Sequence, residues 1–326
     1  MSQISFSLSN LSLKPILRSL KYHGLVRSAR IRANLGQANP QPKPIAFIIG
    51  CGRSGTTLLG NILSSHPQIH YFFEPYHLWA AIEPRSDVLN FFDRLEAQLL
   101  MDATDANPQA QQRFDRLLRS TTHPQTQLIV EKTPLNALRI GYLNTLAPNA
   151  KFIHLVRDGV EVCHSIHKLA RTNCYKIAGK PDFNQWWGDR DAKWQAMVGD
   201  GIKAGYYPDD IGDFEDLQHR GAYEWLLSLA EVDRQRGQLG DRLYEITYPE
   251  LTTQPRQILE TLCGFLQLDA PRPWIEKAIA PIEAPQPATL HLSLPPDPCE
   301  AFNTYQQRYG FPRRAACYQE MREVRQ

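Results

Sequence analysis

The chain has 326 residues, a formal net charge of +2 and 42% hydrophobic residues. That is enough to bury a sizeable core, and it excludes collagen, coiled coil and wholesale disorder as overall classes. Near-neutral charge leaves the partner to be read from where the charges lie.

No apolar run reaches the length of a membrane span, and Lys14, Pro15, Arg18 and Lys21 break up the early Leu and Ile residues where a signal-peptide core would sit. Cysteines at 51, 163, 174, 263, 299 and 317 show no Cys-x-x-Cys pair and no Cys/His metal spacing. These features read as a reduced, cytoplasmic protein.

Residues 1–44 form a basic extension. No acidic residue precedes Glu74, whereas Lys14, Arg18, Lys21, Arg27, Arg30, Arg32, Lys43 and Arg53 all do. With leucines at 11, 13, 17, 20 and 25, the segment reads either as a weak contact for a membrane surface or partner, or as a short helix packed on the domain. It ends in the linker Asn39-Pro-Gln-Pro-Lys-Pro44.

A domain spanning 45–326 follows. Ile45–Ile49 reads as a buried parallel strand, and Thr56–Ser65 as a helix stopped before Pro67. Ile69–Phe73 is a second expected strand, ending at Glu74-Pro75. Helical periodicity is read from Ser86 to Leu118, broken near Asn107-Pro108. Strands are expected at Leu128–Lys132 and Lys151–Val156, each followed by a helix, Asn136–Leu146 and Val160–Leu169. From 172 to 213 the pattern loosens around Trp186, Trp187, Trp194, Tyr206 and Tyr207. This is either an acceptor-side lid or a second helical layer with core tryptophans. A helix (Phe214–Arg236), a strand (Leu243–Tyr248) and another helix (Gln254–Leu266) come next, then an irregular stretch over Ala284–Pro298 and a tail that is helical at its end.

Strands alternating with helices predict an α/β domain, a P-loop-like three-layer fold with a central parallel sheet flanked by helices. Ligands of such sheets lie beyond the carboxyl ends of the strands. Gly50–Thr57, Glu74, Lys132 and Arg157 sit there. The segment Gly50-x-x-x-x-Gly55-Thr56-Thr57 follows the phosphate-cradling P-loop pattern, except that Thr56 stands where lysine belongs and Arg53 lies inside the loop.

These residues carry a resemblance. Gly50-Cys-Gly-Arg-Ser-Gly-Thr-Thr-Leu-Leu59, His66-Pro67, Glu131-Lys132-Thr-Pro and Phe152-Ile-His-Leu-Val-Arg157-Asp-Gly with Ser165 resemble the sulfotransferase family. Its members use 3′-phosphoadenosine-5′-phosphosulfate (PAPS) as sulfuryl donor. The likeness covers about residues 45–170, and Leu243–Leu268 more weakly.

The resemblance implies that Gly52, Arg53, Ser54, Gly55, Thr56 and Thr57 hold the 5′-phosphosulfate. Arg157 and Ser165 would hold the 3′-phosphate that ATP lacks, the arginine in bidentate fashion. The plain alternative for Arg157 is a salt bridge with the adjacent helix. Arg53 and Lys132 are expected to stabilise charge on the transferring group. No metal is expected, because a sulfuryl group carries less charge than a phosphoryl group and fixed cations can replace Mg²⁺.

Phenol-type members place a histidine directly after the Lys-Thr pair, where this chain has Pro134. Tyrosylprotein sulfotransferases instead use a glutamate after the second strand, and Glu74 falls at that distance from Arg53. Glu74 is therefore the expected general base, with His70 and His77 behind it. Tyr248 corresponds to a tyrosine near the nucleotide, although Pro249 splits the usual Tyr-Glu pair. Expected acceptors are small molecules, glycans, lipids or peptides, not nucleic acid. The competing classes are a P-loop kinase and a non-enzymatic nucleotide-binding module.

Overall fold

The computed structural model describes residues 13–35, 41–92, 96–120, 124–172, 183–214, 216–282 and 290–318, with side chains from residue 23 onward. Helix α1 (Leu13–Leu35) precedes β1 (Ile45–Ile49), α2 (Thr56–Ser64), β2 (Ile69–Phe73) and α3 (Tyr76–Ile82). Next come α4 (Pro108–Leu118), β3 (Leu128–Lys132), α5 (Ile140–Leu146), β4 (Lys151–Val156) and α6 (Gly159–Thr172). A two-residue hairpin, β5 (Phe183–Asn184) and β6 (Gly188–Asp189), leads into α7 (Ala192–Lys203) and the long α8 (Leu217–Leu239). Strand β7 (Leu243–Thr247) is followed by α9 (Tyr248–Thr253), α10 (Pro255–Leu266) and α11 (Arg272–Ile279). The last described elements are β8 (Leu292–Leu294), α12 (Pro296–Arg308) and β9 (Ala315–Cys317).

The main sheet runs β2-β3-β1-β4-β7, and every neighbouring pair is parallel. Side chains alternate across a strand, so each apolar run supplies both faces. Phe47, Ile129 and Phe152 pack with α3, α4 and α5. Ile48, Val130 and Ile153 pack with α2, α10 and α11 on the other face. The fold is thus the three-layer α/β sandwich expected. A further core joins α6, α7, α8 and α12 around Trp187, Trp225 and Phe302.

Local chemistry sets several boundaries. The Asn107 side chain accepts the Ala110 N–H at 2.9 Å, and Pro108 opens α4, so the break seen in the periodicity is a helix start. At β7 the Thr247–Glu250 capping box turns the chain directly into α9.

Some expectations fail. Residues 86–106 hold no α-helix where they are described, only the end of one short 3-10 turn at Ser86 and another at Ala103–Asp105. Their backbone groups bond to side chains instead: Asp200 accepts Leu99 N–H at 2.6 Å and Leu100 N–H at 3.1 Å, and the buried Arg139 donates to the carbonyls of Ser86, Gln98 and Leu99. Helix α3 was not anticipated, being short and placed directly after Pro75. The stretch read as irregular contains β8 and the start of α12, while residues 283–289 lie outside the described ones. The tail pairs as β9 beside β8; the helix expected at its end lies outside the described residues.

The reading of reduced cysteines also needs correction. Parallel pairing of β8 with β9 brings Cys317 beside the first turns of α12, where it forms a disulfide with Cys299 across a Cα separation of 5.6 Å. Cys51, Cys163 and Cys263 are buried free thiols, and Cys174 lies outside the described residues.

Candidate active site

Loop Gly50–Gly55 links β1 to α2. Gly55 precedes the helix at φ 98°, and a Cβ there would lie 2.5 Å from the Tyr248 ring, so glycine is needed for both conformation and space. Gly52 is equally constrained, since a Cβ would come within 2.4 Å of the Trp186 ring. No side chain caps α2, and its first turn holds no acidic residue. The N-terminal N–H groups therefore face the loop, where an anion is favoured by both hydrogen bonding and the helix dipole.

Lys132 closes one side of this loop. Its side chain is fully buried, and its ammonium donates to Thr57 Oγ1 at 3.0 Å and to Glu74 Oε1 at 2.5 Å. The same ammonium lies 4.2 Å from the centre of the Phe73 ring. Parallel register makes this meeting unavoidable: Phe73 pairs with Lys132, and Glu74 N–H continues the ladder to the Lys132 carbonyl at 2.8 Å. A buried ammonium is tolerable only when hydrogen-bonded and paired, and both conditions are met. Glu74 keeps part of its side chain open to solvent, at 27% exposure.

The opposite side holds Arg53, Arg157, Ser165 and Tyr248. Arg53 Nε donates to Ser165 Oγ at 3.0 Å, joining the loop to α6. Arg157 uses Nε and Nη2 on Glu161 at 2.9 and 2.8 Å, and its Nη1 lies 3.4 Å from the Arg53 carbonyl. The guanidinium stacks on Tyr248 at 4.6 Å. The salt bridge to the adjacent helix is therefore present, yet Arg157 also touches the loop and Tyr248. Its remaining N–H groups stay available to an anion. The structure thus gathers Arg53, Gly55, Arg157, Ser165 and Tyr248 on one side of the loop, and Thr57, Lys132 and Glu74 on the other.

Arg53 and Glu74 share a feature invisible in sequence: both have left-handed backbones, at φ 75° and φ 42°. Such conformations cost about 1–3 kcal/mol outside glycine and concentrate where geometry serves a ligand.

The runner-up histidines lie elsewhere. Alternation along β2 puts His70 with Phe72, on the face opposite Tyr71 and Phe73, and the ring of His70 packs on Phe72 at 4.7 Å. His77 lies on α3 near Arg32, and burial first, then that arginine, lowers its pKa. His66 binds the Asp269 carbonyl at 3.0 Å and packs edge-on against Trp274, which is a structural role.

Sequence reasoning missed three supports. The Trp186 ring covers Gly52 and donates to Glu224 at 2.9 Å. Glu224 in turn binds Lys193 at 2.7 Å in a pair almost fully buried on both sides. Glu131, next to Lys132 but facing the other layer, accepts from Thr133, Trp79 and Asn136 at 2.5, 2.9 and 2.8 Å. Burial pushes its carboxyl up to about 7 against those stabilising bonds. No local motif signals any of these long-range partners.

A polar cavity of about 590 Å³ opens away from the loop, lined in part by Arg85, Asp105, Asp200 and Arg234. Four of its charges are already engaged: Arg85 with Glu83 and Asp105, Arg234 with Glu231, and Asp200 with backbone N–H groups. It does not compete with the loop as a candidate site.

An uncapped helix N-terminus flanked by Arg53, Lys132 and Arg157, at the carboxyl edge of a parallel sheet, defines a P-loop-like α/β domain. Residues 44–204 match the model of the sulfotransferase family. A protein-tyrosine sulfotransferase of Drosophila melanogaster is 32% identical over 127 residues, covering 38% of this chain and 25% of the relative. Human protein-tyrosine sulfotransferase 1 is 29% identical over 145 residues, covering 42% and 37%. The chain therefore spans well under half the length of either. A sulfotransferase domain from the curacin biosynthetic pathway aligns over 84% of this chain and 100% of its own, at 19% identity and a TM-score of 0.47.

Proposed function

We propose that this protein transfers a sulfuryl group from PAPS to an acceptor hydroxyl or amine, in line and without a metal, with Glu74 as general base. The observation that carries the reading is the buried Lys132 ammonium, held between a loop hydroxyl, Thr57, and a solvent-reaching carboxylate, Glu74. A cation and a base thus meet beside the anion cradle.

Backbone N–H groups of Gly55–Thr57 hold the phosphate that bears the leaving oxygen, and Arg53 and Lys132 neutralise the charge developing there. Arg157, oriented by Glu161 and stacked on Tyr248, holds the 3′-phosphate together with Ser165. In the free protein Lys132 neutralises Glu74. When phosphate oxygens draw the ammonium toward the loop, Glu74 is released to accept the acceptor's proton. The acceptor oxygen or nitrogen bonds to sulfur as the bond from sulfur to the phosphate oxygen breaks. The products are a sulfated acceptor and adenosine 3′,5′-bisphosphate.

The acceptor class is small molecule, glycan, lipid or peptide. Phe73, 52% exposed beside Glu74, offers it an apolar contact. The disulfide between Cys299 and Cys317 weighs against a strictly reducing compartment.

PAPS labelled in its sulfuryl group, offered with a panel of peptides, sugars, phenols and lipids, tests the reading. Label is expected on one acceptor class without added Mg²⁺. Transfer of the γ-phosphoryl of ATP in the presence of Mg²⁺, with no sulfuryl transfer, would overturn it.

A further inference from the structure

Helix α1 has two different sides. Val26, Ala29 and Ala33 are almost completely buried, and this small-residue side seats the helix close against α3 and α4. Arg116 reinforces the seat by donating to the Ala33 carbonyl at 2.8 Å. The outward side should then be polar, as on a soluble surface helix. Instead it presents Ile31 and Leu35, one turn apart and 58% and 81% exposed, two of the few large hydrophobic residues left so open among the described ones. Exposed Arg27 and Arg32 flank this pair.

Charge points to the occupant. The helix sequence contains Lys14, Arg18, Lys21, Arg27, Arg30 and Arg32 and no acidic residue. Among the described residues no helix is long and apolar enough to cross a membrane. A one-signed basic field around an apolar ridge suits a surface that is negative everywhere and apolar just beneath. An anionic bilayer has that composition, and binding to it needs both signals together, because neither a small apolar patch nor a few cations suffices alone.

We infer that α1 is a peripheral docking helix for anionic lipid bilayers. It lies in the headgroup plane, with Ile31 and Leu35 inserted at the acyl boundary and Arg27 and Arg32 on lipid phosphates. The helix stays seated on α3 and α4, so docking requires no rearrangement of the domain. This inference does not depend on the reading of the active site.

Co-flotation of the full chain with phosphatidylcholine vesicles, with and without phosphatidylserine, tests it. The wild type is expected to float with the phosphatidylserine vesicles, to be released by salt, and to remain soluble with phosphatidylcholine alone. Partition should fall by more than about tenfold in Arg27→Glu/Arg32→Glu. It should also fall in Ile31→Glu/Leu35→Glu, with the melting temperature of both variants unchanged because none of these side chains is in the core. The proposal is overturned if the wild type stays soluble with phosphatidylserine vesicles at low salt. It is equally overturned if the variants float as the wild type does, or if neutral vesicles bind as well as anionic ones.

Discussion

Glu74→Gln is expected to lower turnover by about 10²–10⁴ while leaving affinity for adenosine 3′,5′-bisphosphate close to that of the wild type. Glutamine keeps the shape and an acceptor oxygen for Lys132 but is not a base. Glutamine leaves the buried Lys132 ammonium hydrogen-bonded but unpaired, so some loss of stability is expected, and a melting curve keeps it apart from the loss of turnover. Steady-state rates together with nucleotide titration separate the outcomes. Loss of turnover with retained affinity is the signature of a proton acceptor. Unchanged turnover would remove Glu74 from the chemistry.

Lys132→Met should reduce kcat by about 10²–10³, the usual worth of one preorganised group on a developing charge. Methionine fills the buried channel without a hydrogen bond to Thr57 or Glu74. Because Lys132 and Glu74 touch, their effects should not add: the double variant is expected to be little worse than the poorer single one. Additive losses would mean that the two act on separate steps. Circular dichroism and melting of the variant show whether the loss is catalytic, since removing one member of a buried pair also costs stability.

How much of this was legible in the sequence depends on the range of the interactions involved. Strands β1, β3 and β4 match the apolar runs read from sequence, because a strand buried on both faces is apolar at most positions, and the edge strand β2 matches through its run of Ile and aromatic residues. The strand-end rule then selected Glu74, Lys132 and Arg157, and parallel register alone brings Glu74 to Lys132. The left-handed backbones of Arg53 and Glu74 have no such signal, being imposed by the surrounding loop. The contact of Trp186 with Gly52, held in place by Glu224 and Lys193, joins residues far apart in the chain and has no local signal either.

The failures have physical causes too. Residues 86–106 show helical spacing, but Asp87, Asp200 and Arg139 take up their backbone groups before a helix can. The disulfide depends on β8 meeting β9, a pairing that two three-residue strands do not announce. Glu161 is a subtler case: the salt bridge that competes with a phosphate-binding role for Arg157 also orients its guanidinium toward the loop and Tyr248.

The central claim is that two phosphate sites flank one cation–base pair, and calorimetric titration of the purified protein with adenosine 3′,5′-bisphosphate and with ADP tests it most directly. The two nucleotides differ in where the second phosphate sits: on the ribose 3′ oxygen, where Arg157 and Ser165 are assigned to hold it, or extended along the loop. The account predicts that adenosine 3′,5′-bisphosphate binds far more tightly, with no requirement for Mg²⁺. Equal affinity for the two, or binding of ADP alone, would contradict it.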